Sequence, residues 1–239
     1  MTFPNDSVQA LLGGDWWVRD TSAGLFPGKL IWAHVPFFSQ IPYEITATRS
    51  DDLEHAEADL NASALKVSGR RSPLPGLPVA GFPRLEGADC FMVQRVKIRP
   101  CLVVGGGGTE EVPKSLSKGK ANWSTSRHCL VAPFYSADEK SRAGYSPELV
   151  ERIRHGSFRQ FFVDQIPESK TSESILRFDQ TFPLGVHSDS YRVAEWCLSG
   201  EAFAMTKEWF EWYLTGKVSG DDMLALFFEH IDHLKKSVK

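Results

Sequence analysis

The sequence predicts a mainly β protein, built as a small barrel or a strongly bent sheet with helices at its C-terminal end. Three observations support this class. Five or six short runs are rich in β-branched and aromatic residues, and three of them end at proline or glycine, as strands do. Helical patterns do not alternate regularly with these runs, which argues against a doubly wound parallel sheet. Two consecutive helical patterns occupy the tail of the chain.

The predicted strands are short runs, three of which are closed by proline or glycine. The first covers residues 29–35 and ends at Pro36, because proline cannot donate to a ladder. The second, residues 43–48, alternates between the two faces of a strand. Further strands are predicted at residues 101–104, at 128–132 with Pro133 as the stop, at 159–163 and at 175–178.

Two helices are predicted outside the tail. Ser146 followed by Pro147 is typical of an N-cap and a first helical position, and Gly156 ends the predicted helix. Residues 51–62 are acidic and alanine-rich, which predicts a short exposed helix.

The tail predicts two helices with one apolar face each. Thr206 is expected to cap the first, which stops at Gly216. Asp221 is expected to cap the second.

The remaining segments are predicted to be irregular. They are a lead-in at residues 1–27, a proline-rich loop at 70–83, a glycine hairpin loop at 105–108 and a basic exposed loop at 114–127. We expect one domain over residues 1–239, with a barrel at 28–217, an insertion at about 37–95 and a C-terminal helix at 218–239.

Composition and charge limit the partners that the chain can take. Of 239 residues, 27 are Lys or Arg and 30 are Asp or Glu, so the formal net charge is −3. This charge excludes a uniformly basic nucleic-acid coat, and any nucleic-acid site has to be local. Apolar runs fall far below the roughly 20 residues of a membrane span, and no secretory signal is visible. We therefore expect a soluble cytoplasmic protein with no membrane partner.

Metal and cofactor motifs are weak in this sequence. The four cysteines form no Cys-x-x-Cys pair and are expected to be reduced core thiols. His230 and His233 are three apart on the predicted last helix, but no third ligand accompanies them. The glycine run at 105–108 is not followed by Lys and Ser or Thr, and no Gly-x-Ser-x-Gly is present. We expect no metal and no cofactor.

Charged and hydroxyl side chains follow or precede three predicted strands. They are Arg99 before the strand at 101–104, Tyr135 and Ser136 after Pro133, and Asp164 and Gln165 after the strand at 159–163. Such groups have a rigid base at the rim of a sheet, where an anionic ligand can be bound. Each also fits a structural role, Arg99 as the partner of a carboxylate and Ser136 as a turn cap.

Four segments, in order, resemble motifs of the MazF/PemK family of toxin endoribonucleases. Residues 28–36, Gly-Lys-Leu-Ile-Trp-Ala-His-Val-Pro, are similar to the opening strand of that family. Arg99-Pro100 before Cys-Leu-Val-Val is similar to its Arg-Pro motif. Residues 129–136 resemble its strand ending in Pro-x-Thr, and residues 163–166, Val-Asp-Gln-Ile, resemble its Asp-Gln strand end. Residues 175–178 and the C-terminal helix complete a match over about half of the chain.

The resemblance implies an SH3-like barrel and a homodimer whose groove binds single-stranded RNA. It also implies metal-independent cleavage, in which the ribose 2′-hydroxyl attacks the adjacent phosphate and leaves a cyclic phosphate. By this likeness Arg99 stabilises the phosphorane-like charge, and Asp164 takes part in proton transfer. An antitoxin protein is the implied partner.

The sequence departs from the family pattern at three points. Tyr135 occupies the position of the family threonine, unless Ser136 supplies the hydroxyl after a one-residue shift. Between Pro36 and Arg99 lie 62 residues, where the family typically has a short loop. Phe162 occupies a position where some members have a basic residue. The expected catalytic residues are Arg99, Ser136 and Asp164, and the expected substrate-binding residues are Arg95, Lys97, Tyr135 and Gln165.

Two functions remain open from the sequence. The first is a toxin-type endoribonuclease whose groove draws positive charge from residues 95–99 and the 114–127 loop. The second is a non-catalytic binding module, in which Tyr135 and aromatic side chains of the insertion recognise a protein or peptide. Those aromatic residues are Phe37, Phe38, Tyr43, Phe82 and Phe91. Convergence of Arg99, Ser136 and Asp164 on one open groove would favour the nuclease.

Overall fold

The computed structural model divides the chain into two compact units, Met1–His34 with Ile98–Lys239 and Val35–Lys97. The described residues are 3–49, 51, 53–54, 56–66, 80, 90–106, 112–119, 125–138, 144–167, 173–187, 189–220 and 222–237, with side chains to residue 233. The expectation of a single domain stays a prediction.

The strands and helices have the following bounds. The strands are β1 (Trp17–Arg19), β2 (Lys29–Pro36), β3 (Tyr43–Thr48), β4 (Asp59–Ala64), β5 (Phe91–Val93), β6 (Val96–Gly106), β7 (His128–Ser136), β8 (Phe161–Asp164), β9 (Ser174–Arg177), β10 (Phe182–Gly185) and β11 (Tyr191–Leu198). The helices are α1 (Lys114–Ser117), α2 (Pro147–Arg154), α3 (Gly200–Thr215) and α4 (Met223–Ser237), with 3-10 turns at Val8–Leu11 and Phe178–Gln180.

The first unit is built on one antiparallel sheet of eight described strands. Its order is β1-β11-β2-β6-β7-β9-β8, and β10 pairs with β7 beside β9. The prediction of a mainly β protein with C-terminal helices is confirmed. The described strands do not close into a barrel, because β1 and β8 stand at opposite ends of the order and do not pair.

Alternation along β7, β8 and β9 gives this sheet two different faces. Phe134, Leu176 and Phe162 are paired across the three strands and lie in the main core. Trp209 of α3 packs edge-on against Phe162 with ring centroids 5.1 Å apart, and Phe227 of α4 joins it in the same core. The C-terminal helices therefore cover one face, as the apolar tail pattern predicts.

The other face of the same strands carries a second, smaller core. Val163 and Ile175 are paired across β8 and β9, and each lies one residue away from a main-core residue. Val150 and Ile153 of α2 pack against them. Helix α2 is thus the cover of the second face.

The residues predicted to end helices are confirmed for α2 and for the C-terminal end of α3. The residue predicted to begin α3 is not. Ser146 accepts a hydrogen bond from Leu149 N, and Gly156 follows the end of α2 with φ of 70°. Gly216 ends α3 in the left-handed region. Ser199 caps α3, so the prediction of Thr206 as the cap is wrong, since Thr206 lies inside the helix and bonds back to Ala202 O.

Several predicted elements differ from those in the structure. Part of residues 51–62, predicted helical, lies in β4, because residues 59–64 pair with β3 along its whole length. Pro133 does not end β7, which continues to Ser136. It lies where the partner of β7 changes from β10 to β9, so its missing N–H interrupts neither ladder. Residues 1–27 contain β1 and a 3-10 turn, and β11 was not predicted.

The second unit contains a three-stranded sheet in the order β4-β3-β5. Register gives it one apolar face, with Tyr43, Ile45 and Ala47 of β3 opposite side chains of β4 and β5. The other face carries the polar residues Glu44, Thr46 and Thr48. Most of the 70–83 loop, Phe82 and residues 107–108 lie outside the described residues, as do Lys120 and Asp221.

The cysteines and helices bear on two other expectations. All four cysteines are free, and Cys101, Cys129 and Cys197 are buried, as predicted. No helix in the described part of the chain has the length and hydropathy of a membrane span.

Candidate functional site

Arg99 and Tyr135 come together on adjacent strands. The antiparallel register pairs Cys101 of β6 with Pro133 of β7, and two residues further this register brings Arg99 opposite Tyr135. The guanidinium carbon of Arg99 lies 4.0 Å from the centroid of the Tyr135 ring. Such a contact contributes about 0.5–1 kcal/mol when exposed and about 2 kcal/mol when desolvated. The aromatic ring therefore holds the cation in place.

The charge of Arg99 is not neutralised within the described part of the chain. No described carboxylate forms an ion pair with it, and its recorded side-chain contact is the Tyr135 ring. A guanidinium stacked by its face keeps its N–H edge available for a planar anion. Arg99 is half-buried, so this edge combines a positioned cation with access to solvent.

Tyr135 is the centre of a larger polar cluster. Its hydroxyl forms a hydrogen bond with Gln180 Oε1, and Arg177 lies 5.8 Å from its ring. Burial raises the pKa of Tyr135, and the positive charges of Arg99 and Arg177 offset part of that rise. The hydroxyl is therefore protonated at neutral pH and can donate.

Arg177 is held by several groups at once. Its Nε and Nη2 donate to Oδ1 and Oδ2 of Asp179 at 2.7 and 2.6 Å, and Nη1 donates to the Tyr145 hydroxyl at 3.1 Å. Its guanidinium carbon is also 4.7 Å from the Phe161 ring. Arg177 thus fixes the cluster, while Arg99 supplies the open cationic edge.

Ser136 and Asp164 lie on the opposite face of the sheet from Arg99. Consecutive residues of a strand point to opposite faces, so Tyr135 and Ser136 diverge. Ser136 and Asp164 are each paired with Ser174 of β9, which sets them in one row on the main-core side. The structure does not bring the three expected catalytic residues to a shared groove.

Asp164 is enclosed by the lead-in segment. Its carboxylate accepts hydrogen bonds from Trp16 Nε1 at 3.1 Å, Trp17 Nε1 at 3.3 Å and Gln165 N at 2.7 Å. Burial raises the pKa of Asp164 to about 7, although these hydrogen bonds lower it. With 3% of its surface exposed, Asp164 meets no substrate from solvent and instead anchors residues 16 and 17.

The other expected residues have separate surroundings. Ser136 Oγ accepts from Asp138 N at 3.1 Å, which is a turn contact, and Gln165 is exposed. Arg95 lies 4.6 Å from the Phe37 ring within the second unit, and Lys97 is exposed there. None of these contacts involves Arg99.

A second Asp-Gln pair, missed by the sequence analysis, lies at the Arg99 cluster. The chain contains this dipeptide twice, as Asp164-Gln165 and as Asp179-Gln180. Gln180 contacts the Tyr135 hydroxyl and Asp179 binds Arg177, whereas Asp164 binds the two tryptophans. The repeated dipeptide was a visible signal, but only the fold distinguishes the two copies.

Comparisons with known proteins add no relative. No protein-family model matches the sequence, and neither the curated proteins nor the solved structures contain a match. The resemblance to the MazF/PemK family therefore stays an expectation from the sequence motifs. Within the described residues, no three His, Cys, Asp or Glu side chains cluster as a metal site.

Proposed function

We propose that this chain is a metal-independent endoribonuclease that cleaves single-stranded RNA, with Arg99, Tyr135 and Gln180 around the reacting phosphate. One observation carries the proposal. Arg99 stacks 4.0 Å from the Tyr135 ring, whose hydroxyl is bonded to Gln180. The Arg-Pro motif, the segment resembling Pro-x-Thr and an Asp-Gln pair thus meet at one place. The proposal includes a MazF/PemK-like SH3 fold, a cytoplasmic homodimer and an antitoxin partner.

Arg99 provides the electrostatic part of the catalysis. When the 2′-oxygen attacks the adjacent phosphorus, negative charge grows on the non-bridging oxygens. A guanidinium already oriented by an aromatic ring stabilises that charge with little reorganisation, and its planar edge matches two phosphate oxygens. The positive charge of Arg99 is local, so RNA binding at this place is compatible with the net charge of −3 of the whole chain.

Tyr135 is the proton donor in this mechanism. The new bond joins the 2′-oxygen to phosphorus, and the bond from phosphorus to the 5′-oxygen breaks. The 2′-hydroxyl releases a proton to solvent, and the departing 5′-oxygen takes one from the Tyr135 hydroxyl, which solvent then restores. A tyrosine kept protonated by burial is suited to this step, and Gln180 orients it.

In this proposal, the part that the resemblance gives to the Asp-Gln motif belongs to Asp179 and Gln180, and not to Asp164. Asp179 holds Arg177 through two hydrogen bonds, and Gln180 holds the Tyr135 hydroxyl. Both residues position the cluster in this mechanism.

The test is cleavage of a mixed-sequence single-stranded RNA in EDTA. We expect 2′,3′-cyclic phosphate products from the wild type, and a rate lower by about 10²–10³-fold in Arg99→Ala, as for loss of one charge-stabilising donor. Arg192→Ala is the matched control, because exposed Arg192 of β11 also stacks on an aromatic ring, 5.4 Å from Trp32. Intact RNA with the wild type, or equal rates in the two variants, would refute the proposal.

A second candidate, a protein-binding module, is favoured by the apolar face of the second unit. Tyr43, Leu60 and Val93 lie on this face and are 55%, 57% and 45% exposed. Exposed apolar side chains gathered on one face mark interaction surfaces.

Selection of peptides from a displayed random library tests the second candidate. We expect peptides that bind the wild type and lose binding to Tyr43→Lys, while Thr48→Lys, an exposed position on the polar face, keeps it. A library that yields no peptide sensitive to Tyr43→Lys would exclude this function.

A further inference from the structure

Strand β4 is an edge of the three-stranded sheet in the second unit. The sheet has the order β4-β3-β5, so β3 pairs with one side of β4, and no strand among the described residues pairs with the other side. Every residue of β4, Asp59–Ala64, is exposed. An edge strand presents N–H and C=O groups that can pair with a further strand. The outer side of β4 is therefore a place where another chain can be added.

One hydrogen bond shows which backbone groups of β4 point to the outer side. Leu65 N donates to Pro42 O over 3.0 Å, and this pair continues the register of β4 with β3. Residues that bond the neighbouring strand alternate with residues that do not in an antiparallel pair. The odd-numbered residues of β4 therefore bond β3. The residues whose N–H and C=O groups point outward are Leu60, Ala62 and Ala64.

Strand β4 lacks the features that usually keep an edge strand from pairing. Lysine, proline and β-bulges are common protections of edges. The strand contains neither Lys nor Pro, and its register with β3 runs without a shift over all six residues. The end strands of the large sheet, β1 and β8, have only three and four residues. The edge of β4 is thus longer and regular, which suits it to pairing.

The side chains of β4 favour a second copy of this chain as the added strand. Residues directly opposite each other in an antiparallel pair lie on the same face, so even-numbered residues must meet even-numbered ones to keep the apolar faces together. With Ala62 opposite Ala62, Leu60 lies opposite Ala64, and all three outward residues of each copy form hydrogen bonds. Alanine at the centre allows close approach. The one charged residue of the strand, Asp59, lies at its end and far from the Asp59 of the other copy.

We propose that β4 pairs antiparallel with β4 of a second copy, with Ala62 at the two-fold axis, so that two three-stranded sheets become one sheet of six strands. Such an interface is isologous and closes as a dimer. Asn61 and Ser63 then lie opposite each other on the polar face. The inference does not rest on the nuclease activity, and it assigns an interface to the homodimer of the proposed function.

Sedimentation velocity over a range of protein concentrations tests the association. We expect the wild type to dimerise and Ala62→Pro to raise the dissociation constant at least about tenfold, as for the loss of two hydrogen bonds between strands. Proline at this position removes an N–H group that β3 does not use, so the ladder within each copy is kept.

Two lysine variants repeat the test without a change of backbone. Ala62→Lys sets two like charges opposite each other across the axis and is also expected to weaken the dimer. Position 62 is exposed, so each copy accommodates this lysine. Thr48→Lys is the matched control, because exposed Thr48 lies on β3, one strand away from the edge. It is expected to dimerise as the wild type does.

Disulfide formation tests the register. The Cα atoms of two directly opposite, hydrogen-bonded residues are about 5.5 Å apart, which a disulfide can span. In a Cys90→Ser background, which removes the half-buried free thiol, Ala62→Cys is expected to give a disulfide-linked dimer on mild oxidation. Asn61→Cys is the control, because the two cysteines are offset by two residues and lie about 8 Å apart, beyond the reach of a disulfide.

Four results would overturn the inference. They are a wild type that stays monomeric at every concentration, a dimer that folded Ala62→Pro and Ala62→Lys proteins form as tightly as the wild type, crosslinking of Asn61→Cys in place of Ala62→Cys, and protection of the Leu60 and Ala64 amides from hydrogen exchange in the monomer. The last result would assign the edge to another segment of the same chain. Thermal melting shows which variants are folded. None of these measurements uses RNA, so their outcome is independent of the cleavage test.

Discussion

Trp17 donates a hydrogen bond from its indole Nε1 to Oδ1 of Asp164 over 3.3 Å, and this bond joins the two strands at the opposite ends of the sheet order. Trp16 adds a second bond to the same carboxylate, and its ring stacks on Phe162 at 5.9 Å. The sheet edges are thus linked by side chains where backbone pairing is absent. Asp164, expected to be catalytic, has this structural role.

Replacement of Asp164 is predicted to lower stability. Asp164→Ala leaves the partly buried indole N–H groups of Trp16 and Trp17 without their acceptor, and each unsatisfied buried donor costs about 1–3 kcal/mol. We expect the free energy of unfolding, measured in urea by tryptophan fluorescence, to fall by about 2–4 kcal/mol. Asp189→Ala, at an exposed position, is the control and is expected to change it by less than about 0.5 kcal/mol. Equal stabilities would contradict the anchoring role.

The same carboxyl group is predicted to make stability depend on pH. Burial raises the pKa of Asp164 to about 7, above the value near 3.8 of an unfolded aspartate. The folded state then binds the proton more tightly, so its stability contribution is full below pH 4 and is lost as the pH rises to 7. The slope is at most about 1.4 kcal/mol per pH unit.

Urea unfolding at several pH values checks this sign. The difference in unfolding free energy between the wild type and Asp164→Asn, which cannot ionise, is expected to decrease from pH 4 to pH 7. A difference that grows over this range would mean that the hydrogen bonds from the tryptophans outweigh burial.

Removal of one hydroxyl is predicted to separate catalysis from binding. Tyr135→Phe keeps the ring under Arg99 but loses the donor bonded to Gln180. We expect the cleavage rate to fall by about 10²–10⁴-fold, as for loss of a general acid, with RNA affinity changed little. Asp164→Asn, if folded, is expected to cleave at the wild-type rate. The reverse ranking of the two variants would return catalysis to Asp164.

Two glycines with the same backbone conformation are predicted to differ in their tolerance of a methyl group. Gly156 and Gly216 both have φ of 70°. A Cβ at Gly156 would lie 2.5 Å from the Phe228 ring in α4, whereas one at Gly216 would lie 2.5 Å from the guanidinium at the far end of the flexible Arg159 side chain, which can shift at little cost. We expect Gly156→Ala to lose about 2–4 kcal/mol and Gly216→Ala about 1 kcal/mol in thermal or urea unfolding. A smaller loss at Gly156 would contradict this packing.

Local signals in the sequence correctly placed most of the strands that were predicted. They also placed the helix that covers the second face. Residues 29–35 and 43–48 contain β-branched and aromatic side chains next to breakers, and Ser146 with Gly156 marks both ends of α2. Strand β11 was missed because an irregularity between Val193 and Cys197 interrupts its alternation. Residues 59–64 were misassigned because pairing with β3 outweighs their composition.

The candidate site was predicted only in part, because the sequence does not show on which face of the sheet each residue lies. Arg99 and Tyr135 are neighbours, as the order of the motifs suggested, but Ser136 was grouped with them although the pleat turns it away. The choice between Asp164 and Asp179 depends on which strand end faces β7. That is a property of the register and not of the dipeptide.

The pairing of β1 with β11 has a consequence for synthesis of the chain. Trp17 is aligned with Leu198, so β1 must wait for a strand that is synthesised much later, at residues 191–198. During translation, residues 17–19 leave the ribosome long before their partner exists, and contacts so distant along the chain form slowly. The emerging protein therefore exposes the Trp16 and Trp17 region until residues 191–198 have been synthesised.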